Sequence, residues 1–131
     1  MGVSNKVALI IVSHSIHIGE GVKELISQVI TDVPVMLACG TSDNEIGTSI
    51  EKIQAAMKSV NGKSEAILFY DLGSAKMNAE MAIEMYSIKN TEIAEGIPIV
   101  EGAYVAAVES NMGKAKSDIL KSLQKLKADE S

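Results

Sequence analysis

Val7-Ala8-Leu9-Ile10-Ile11-Val12-Ser13-His14-Ser15 is an unbroken aliphatic run that stops abruptly at Ser-His-Ser. A continuous apolar stretch of this length is the pattern of a strand buried on both faces, as in a parallel sheet covered by helices. Open α/β sheets gather their ligands outside the carboxyl ends of the strands. One of the chain's two histidines is therefore expected at such an end, carried on a rigid support.

The period changes directly afterwards. Val22, Leu25, Ile26, Val29 and Ile30 recur at i, i+3, i+4, i+7 and i+8, which predicts an amphipathic helix with these residues inward. Thr31-Asp32-Val33-Pro34 stops it, because proline disfavours helix at the residue before it. Val35-Met36-Leu37-Ala38-Cys39 predicts a second buried strand, closed by Gly40-Thr41-Ser42-Asp43. A second helix is expected from Thr48 to Val60, with Ile50, Ile53, Met57 and Val60 inward and Thr48 and Ser49 as cap-type residues. After the turn Asn61-Gly62-Lys63-Ser64, Ala66-Ile67-Leu68-Phe69-Tyr70 reads as the third strand and runs into Asp71-Leu72-Gly73-Ser74. The helix that follows carries Met77, Met81 and Met85 at four-residue spacing, the pattern of a core-facing stripe. Ile97-Pro98-Ile99-Val100 reads as a fourth strand ending in Glu101-Gly102. Ile119, Leu120, Leu123 and Leu126 mark a last helix, with Lys116, Lys121 and Lys125 on its outer side.

Strands alternating with helices predict an α/β fold, a three-layer sandwich around a central four-stranded, mainly parallel sheet. Right-handed crossovers then bring all carboxyl strand ends to one edge. His14, Gly40-Thr41, Asp71 with Gly73-Ser74, and Glu101-Gly102 are expected to share that rim. At 131 residues the chain reads as a single domain, 1–131, able to bury a core without disulfides or metals.

Composition narrows the functional classes. The core is aliphatic, since 47% of residues are apolar but only 3% aromatic. Net charge is −5, which gives no electrostatic support to nucleic-acid binding. The lone Cys39 has no internal disulfide partner, and the start Met1-Gly2-Val3-Ser4-Asn5-Lys6 has no leader pattern, so a cytoplasmic protein with no membrane span is expected. All twelve basic residues are lysine. Without arginine's bidentate fork, any phosphate must be held by backbone amides, hydroxyls, lysine or a covalent bond.

His14 is the strand-end residue able to act as a nucleophile near neutral pH. A carboxylate holding one ring N–H would fix which nitrogen keeps its lone pair, and Asp71 at the matching end of the third strand suits that role. The alternative is that His14 caps or fills structure and Asp71 caps a helix. Gly73 and Ser74 offer amides and a hydroxyl for a phosphoryl group at a helix start, yet Ser74 is equally explained as an N-cap. Gly40-Thr41 and Gly47-Thr48 offer hydroxyls and flexible backbone along the same rim, but turn chemistry explains them better than ligand contact. His17 raises a metal reading, but zinc needs three or four protein ligands and only Cys39 is otherwise available; no metal or other cofactor is expected. Ser13 and Ser15 lack the Gly-x-Ser-x-Gly elbow of α/β hydrolases. A flavodoxin-like ligand-binding module, with His14 merely touching ligand, is the remaining alternative.

Val12-Ser13-His14-Ser15 with Gly19-Glu20-Gly21, Asn44-Glu45-Ile46-Gly47-Thr48, Asp71-Leu72-Gly73-Ser74-Ala75 and Ile99-Val100-Glu101-Gly102 occur in order along nearly the whole chain. Together they resemble the mannose-type enzyme IIA family of the bacterial phosphotransferase system. Ser15 after the histidine and the compact Asp71–Ala75 motif are more similar to its dihydroxyacetone kinase branch than to sugar-transport members. The resemblance implies that His14 is phosphorylated by the phosphocarrier HPr and passes the group to ADP on the nucleotide-binding kinase subunit. It implies that Asp71 orients His14, with Gly73 and Ser74 beside the phosphate, in a homodimer; Ser15 and Thr41 are further candidates for phosphate contact. The enzyme IIA component of a mannose-type sugar transporter is the alternative it implies. His17 stands where relatives often carry arginine. The linker and transport domains of sugar permeases, and the extra phosphocarrier domains of longer kinase subunits, are absent from these 131 residues.

Overall fold

The structure, a computed structural model, describes residues 6–127. The leader-pattern reading of Met1–Asn5 lies outside these residues. β1 (Ala8–Ser13), β2 (Val35–Cys39), β3 (Ala66–Tyr70) and β4 (Thr91–Ile93) form one sheet, ordered β2-β1-β3-β4. Every pairing in it is parallel. α1 (Ile16–Ser27), α2 (Ile50–Val60), α3 (Gly73–Met85), α4 (Ile99–Asn111) and α5 (Lys116–Leu123) connect and follow the strands, with a 3₁₀ turn at Gln124–Leu126.

Two apolar clusters make the three layers. Leu9 and Ile11 of β1 and Ile67 and Phe69 of β3 pack with Val22 and Ile26 of α1, Ala103, Ala106 and Ala107 of α4, and Ile119 and Leu123 of α5. On the opposite face, Ala8, Ile10, Val12 and Leu68 meet Ile53, Met57 and Val60 of α2 and Ala75, Ala79 and Ala82 of α3. β1 is thus sequestered on both sides, and Leu9, Ile10 and Ile11 are fully buried. At about 1.5–3 kcal/mol per fully buried aliphatic side chain, β1 is anchored strongly enough to hold whatever follows it in place.

Sequence and structure part company in four places. The fourth strand is Thr91–Ile93, whereas Ile99 and Val100 open α4 directly after Pro98. A short apolar run is compatible with either state. Gly96, at φ +75°, turns the chain just before it, and proline's fixed φ suits the residue leading into a helix. Glu101-Gly102 therefore forms part of a helix, where Gly102 allows close approach: a Cβ there would lie 2.5 Å from Ile97 and 3.1 Å from Phe69.

The methionine stripe faces outward, not inward. Met77, Met81 and Met85 are 67%, 52% and 59% exposed, while Ala75, Ala79 and Ala82 of the same helix are fully buried. Helical spacing defines a stripe without saying which stripe packs, and the alanines let α3 lie close to the sheet. Leu25 is likewise exposed, because α1 buries only Gly19, Val22 and Ile26, and Val29 is exposed beyond the helix end at Ser27. A Cβ on Gly19 would sit 2.2 Å from the Cys39 sulfur, so α1 reaches β2 at a distance that excludes larger side chains. Finally, Lys116 is drawn inward by Glu65 at 2.7 Å rather than pointing away.

Candidate functional site

The order β2-β1-β3-β4 reverses direction at β1, since the chain runs from β1 to β2 on one side and then to β3 on the other. A crevice opens at such a reversal, outside the carboxyl ends of the two strands that flank it. The last β1–β3 pair is Val12 with Tyr70, so Ser13 and Asp71 stand one step beyond it, side by side. His14 is the next residue out.

Four hydrogen bonds converge on the Asp71 carboxylate. Oδ2 accepts from the Ser13 hydroxyl at 2.9 Å and from the His14 backbone N–H at 2.9 Å. Oδ1 lies 3.0 Å from His14 Nδ1 and accepts from the Leu72 N–H at 2.8 Å. Burial pushes this carboxyl up, but the four hydrogen bonds, led by the His14 backbone N–H, outweigh it and hold Asp71 below the usual carboxylate range. A carboxylate only accepts, so Nδ1 of the neutral ring carries the proton and Nε2 keeps the lone pair. Nε2 in turn lies 2.8 Å from the Ser74 hydroxyl, which can donate to it. The His14 and Asp71 side chains are 20% and 14% exposed, partly shielded yet open to an incoming group.

The supporting framework is backbone. Gly40 N–H donates to Ser13 O at 3.0 Å, and Gly47 N–H donates to His14 O at 2.9 Å. Gly40 (φ +78°) and Gly47 (φ +141°) hold conformations that favour glycine, and a Cβ on Gly47 would lie 2.7 Å from Thr41. Asn78, one turn after Ser74, donates to the Thr48 hydroxyl and ties α3 to the loop that carries Gly47.

The expected residues divide accordingly. His14, Asp71 and Ser74 meet directly. Ser74 is not the N-cap of α3; that position is Leu72, which leaves the Ser74 hydroxyl to the imidazole. Gly73 is the first residue of α3, where N–H groups lack intrahelical partners. Ser15 is the N-cap of α1 and its hydroxyl accepts from Ile18 N–H at 3.3 Å. The Thr41 hydroxyl accepts from Glu45 N–H at 3.1 Å within its own turn. His17 is exposed on α1. Cys39 is buried, and its thiol contacts the Ile11 carbonyl at 3.4 Å. Glu101 and Gly102 sit in the first turn of α4, with no hydrogen bond to the His14 cluster among the described residues. Ser13 joins this cluster through its hydrogen bond to Asp71, and pattern reading passed it over. Its signal was the register itself, which places the residue before His14 opposite Asp71.

This arrangement presents one imidazole nitrogen as a nucleophile, with the other nitrogen locked and no cation against it among the described contacts. It is suited to accepting a group reversibly. Among the described residues no helix is long and apolar enough to cross a membrane.

Residues 8–120 match the family model described as PTS system fructose IIA component. The phosphoryl donor subunit DhaM of PEP-dependent dihydroxyacetone kinase 1 from Listeria innocua is 39% identical over 116 residues, covering 88% of this chain and 91% of that protein. The phosphotransferase subunit DhaM of the PTS-dependent dihydroxyacetone kinase from Lactococcus lactis is 34% identical, covering 90% and 94%. Among solved structures, the crystal structure of a protein of unknown function, EF1359, superposes with a TM-score of 0.84 at 29% identity, covering 96% of this chain and 98% of the other.

Proposed function

This chain belongs to the PTS fructose IIA component family, and on that premise we propose that it is the phosphoryl-carrying subunit of a PEP-dependent dihydroxyacetone kinase. The observation that carries the reading is the Asp71–His14–Ser74 alignment, which locks Nδ1 and leaves Nε2 as the reactive atom. The names and full-length coverage of the relatives support the kinase branch over sugar transport.

In the forward step, the Nε2 lone pair attacks phosphorus on the phosphohistidine of HPr. A new N–P bond forms on His14 as the donor's N–P bond breaks, its electron pair returning to the donor ring. In the second step a β-phosphate oxygen of ADP, bound to the nucleotide-binding kinase subunit, attacks the same phosphorus. The His14 N–P bond breaks, its pair returns to Nε2, and the regenerated ATP phosphorylates dihydroxyacetone on a further subunit. Both transfers have loose transition states, so the protein's contribution is mainly positioning. Asp71 fixes the ring, and its charge balances the positive charge that develops on the imidazole when Nε2 bonds phosphorus. Ser74 moves its hydrogen bond from Nε2 to a phosphoryl oxygen, joined by the first-turn N–H groups of Gly73 and Ser74 at the positive end of α3. Ser15 and Thr41 accept local N–H groups with their hydroxyl oxygens, and each keeps an O–H that can donate to a phosphoryl oxygen. No cofactor takes part. The protein works in the cytoplasm as a homodimer, as its resemblance to the enzyme IIA family implies.

The test is reconstitution. With phosphoenolpyruvate, enzyme I, HPr, the nucleotide-binding subunit and ADP, the chain should support ATP formation, and His14→Ala should abolish it. Phosphorylation of the chain without ATP formation would assign it to the sugar-transport branch. Absence of phosphorylation would overturn the carrier reading.

A further inference from the structure

The Ser13 hydroxyl is fully buried and makes two hydrogen bonds of opposite sense. It accepts from Ser15 N–H at 3.1 Å and donates to Asp71 Oδ2 at 2.9 Å. A backbone N–H can only donate and a carboxylate can only accept. The Ser13 proton is therefore aimed at Asp71, and the direction of the whole chain of bonds is set from the backbone: Ser15 N–H to Ser13, Ser13 to Asp71, and the His14 ring N–H to the same carboxylate.

We propose that Ser13 is a positioning residue for phosphoryl transfer, which sets the tautomer of His14 by holding the Asp71 carboxylate rotated with Oδ1 on the ring. The inference rests on His14 being the phosphoryl carrier and extends it to the control of that histidine. Of the four groups bonded to Asp71, two are backbone N–H groups and one is the ring being oriented. Ser13 is the other side chain. It stands at the end of β1, the most deeply sequestered strand, so it transmits the rigidity of the sheet to the carboxylate. A free imidazole side chain slightly prefers its proton on Nε2, the nitrogen needed here as nucleophile. The site must invert that preference, and every donor that keeps Asp71 charged and correctly turned contributes. The low-lying carboxyl of Asp71, to which the Ser13 hydroxyl contributes, is consistent with this role.

Two variants test it. Ser13→Ala removes the hydroxyl, and Ser13→Cys keeps the volume with a weak donor. Long-range ¹H–¹⁵N spectra of the imidazole report the tautomer on the intact, unphosphorylated chain, a readout that loss of packing alone does not move. Wild type should show the proton on Nδ1 almost exclusively. Both variants should show a raised Nε2–H fraction, and transfer from phosphorylated HPr should slow by about threefold to tenfold, the scale of one hydrogen bond. Folded variants with the wild-type tautomer and rate would overturn the proposal. If Ser13→Ala does not fold, Ser13→Cys decides in the same way. Failure of wild type to accept phosphate on His14 would instead overturn the carrier reading, and the tautomer spectra would still decide the role of Ser13.

Discussion

Asp71→Asn probes the site most finely, because it keeps the shape of the side chain and removes one acceptor oxygen. Each carboxylate oxygen now accepts from two donors. The amide nitrogen must replace one of them. Placed at Oδ2, it opposes the His14 backbone N–H, leaving a shielded donor unsatisfied at a cost of about 1–3 kcal/mol. Placed at Oδ1, it donates to Nδ1 and moves the ring proton to Nε2, which removes the nucleophilic lone pair. In both orientations the charged hydrogen bond to the ring is lost, worth about 1.5–3 kcal/mol. At about 1.4 kcal/mol per factor of ten, transfer onto His14 should slow roughly ten- to hundredfold. The related tautomer error in a serine-protease triad costs about 10⁴-fold; that histidine must also move a proton, so the effect here should be smaller. Rapid-quench transfer from phosphorylated HPr, read as acid-labile phosphate on the chain, measures it, with circular dichroism confirming the fold. A folded Asp71→Asn protein within twofold of wild type would mean that Asp71 does not control the His14 ring.

Acid stability should carry the mark of the same carboxylate. Asp71 titrates lower in the folded chain than when unfolded, so the unfolded state binds more protons as pH falls below about 4. Its stabilisation is present above that pH and is lost on the way down through the folded value; the thermal midpoint of Asp71→Asn should therefore fall less steeply than wild type in this window. Gly19→Ala should lower the thermal midpoint despite a helix-propensity gain of about 1 kcal/mol, because the new methyl collides with the Cys39 sulfur, and Cys39→Ala should restore it. Met57→Ala, at a fully buried position, should cost about 2–5 kcal/mol in urea unfolding, whereas Met81→Ala, 52% exposed, should stay within about 0.5 kcal/mol. Equal losses at the two methionines would mean that α3 packs by the opposite face.

Much of this molecule was legible because its strongest signals were redundant. β1, β2 and β3 combine continuous apolar runs with flanking turn residues, and parallel order then forces their carboxyl ends together. His14 and Asp71 could be paired from that topology alone. The errors arose where one signal stood by itself. Ile97-Pro98-Ile99-Val100 had apolarity without a distinguishing period, and the residues that settle it are Gly96 before it and the small residues of α4 after it. The real β4 is three residues long and too short to announce itself. The methionines of α3 had a period without a polarity contrast, since Ala75, Ala79 and Ala82 form a competing stripe that only packing distance selects. Ser13 was hidden for a different reason: its role depends on which hydrogen-bond acceptor lies across the strand pair, and a pattern along one segment does not contain that information. The loop of Gly40 and Gly47 is legible only as turn chemistry until its N–H groups are seen to hold the Ser13 and His14 carbonyls.

With Asp71 holding Nδ1, the proposed carrier His14 must bear the phosphoryl group on Nε2. Phosphorylating the chain through HPr and recording ³¹P-coupled ¹⁵N spectra of the His14 ring tests it at the level of the single atom. One phosphorus should couple to Nε2, with Nδ1 still protonated, and His14→Ala should take no label. Phosphorus on Nδ1, or on any residue other than His14, would contradict it.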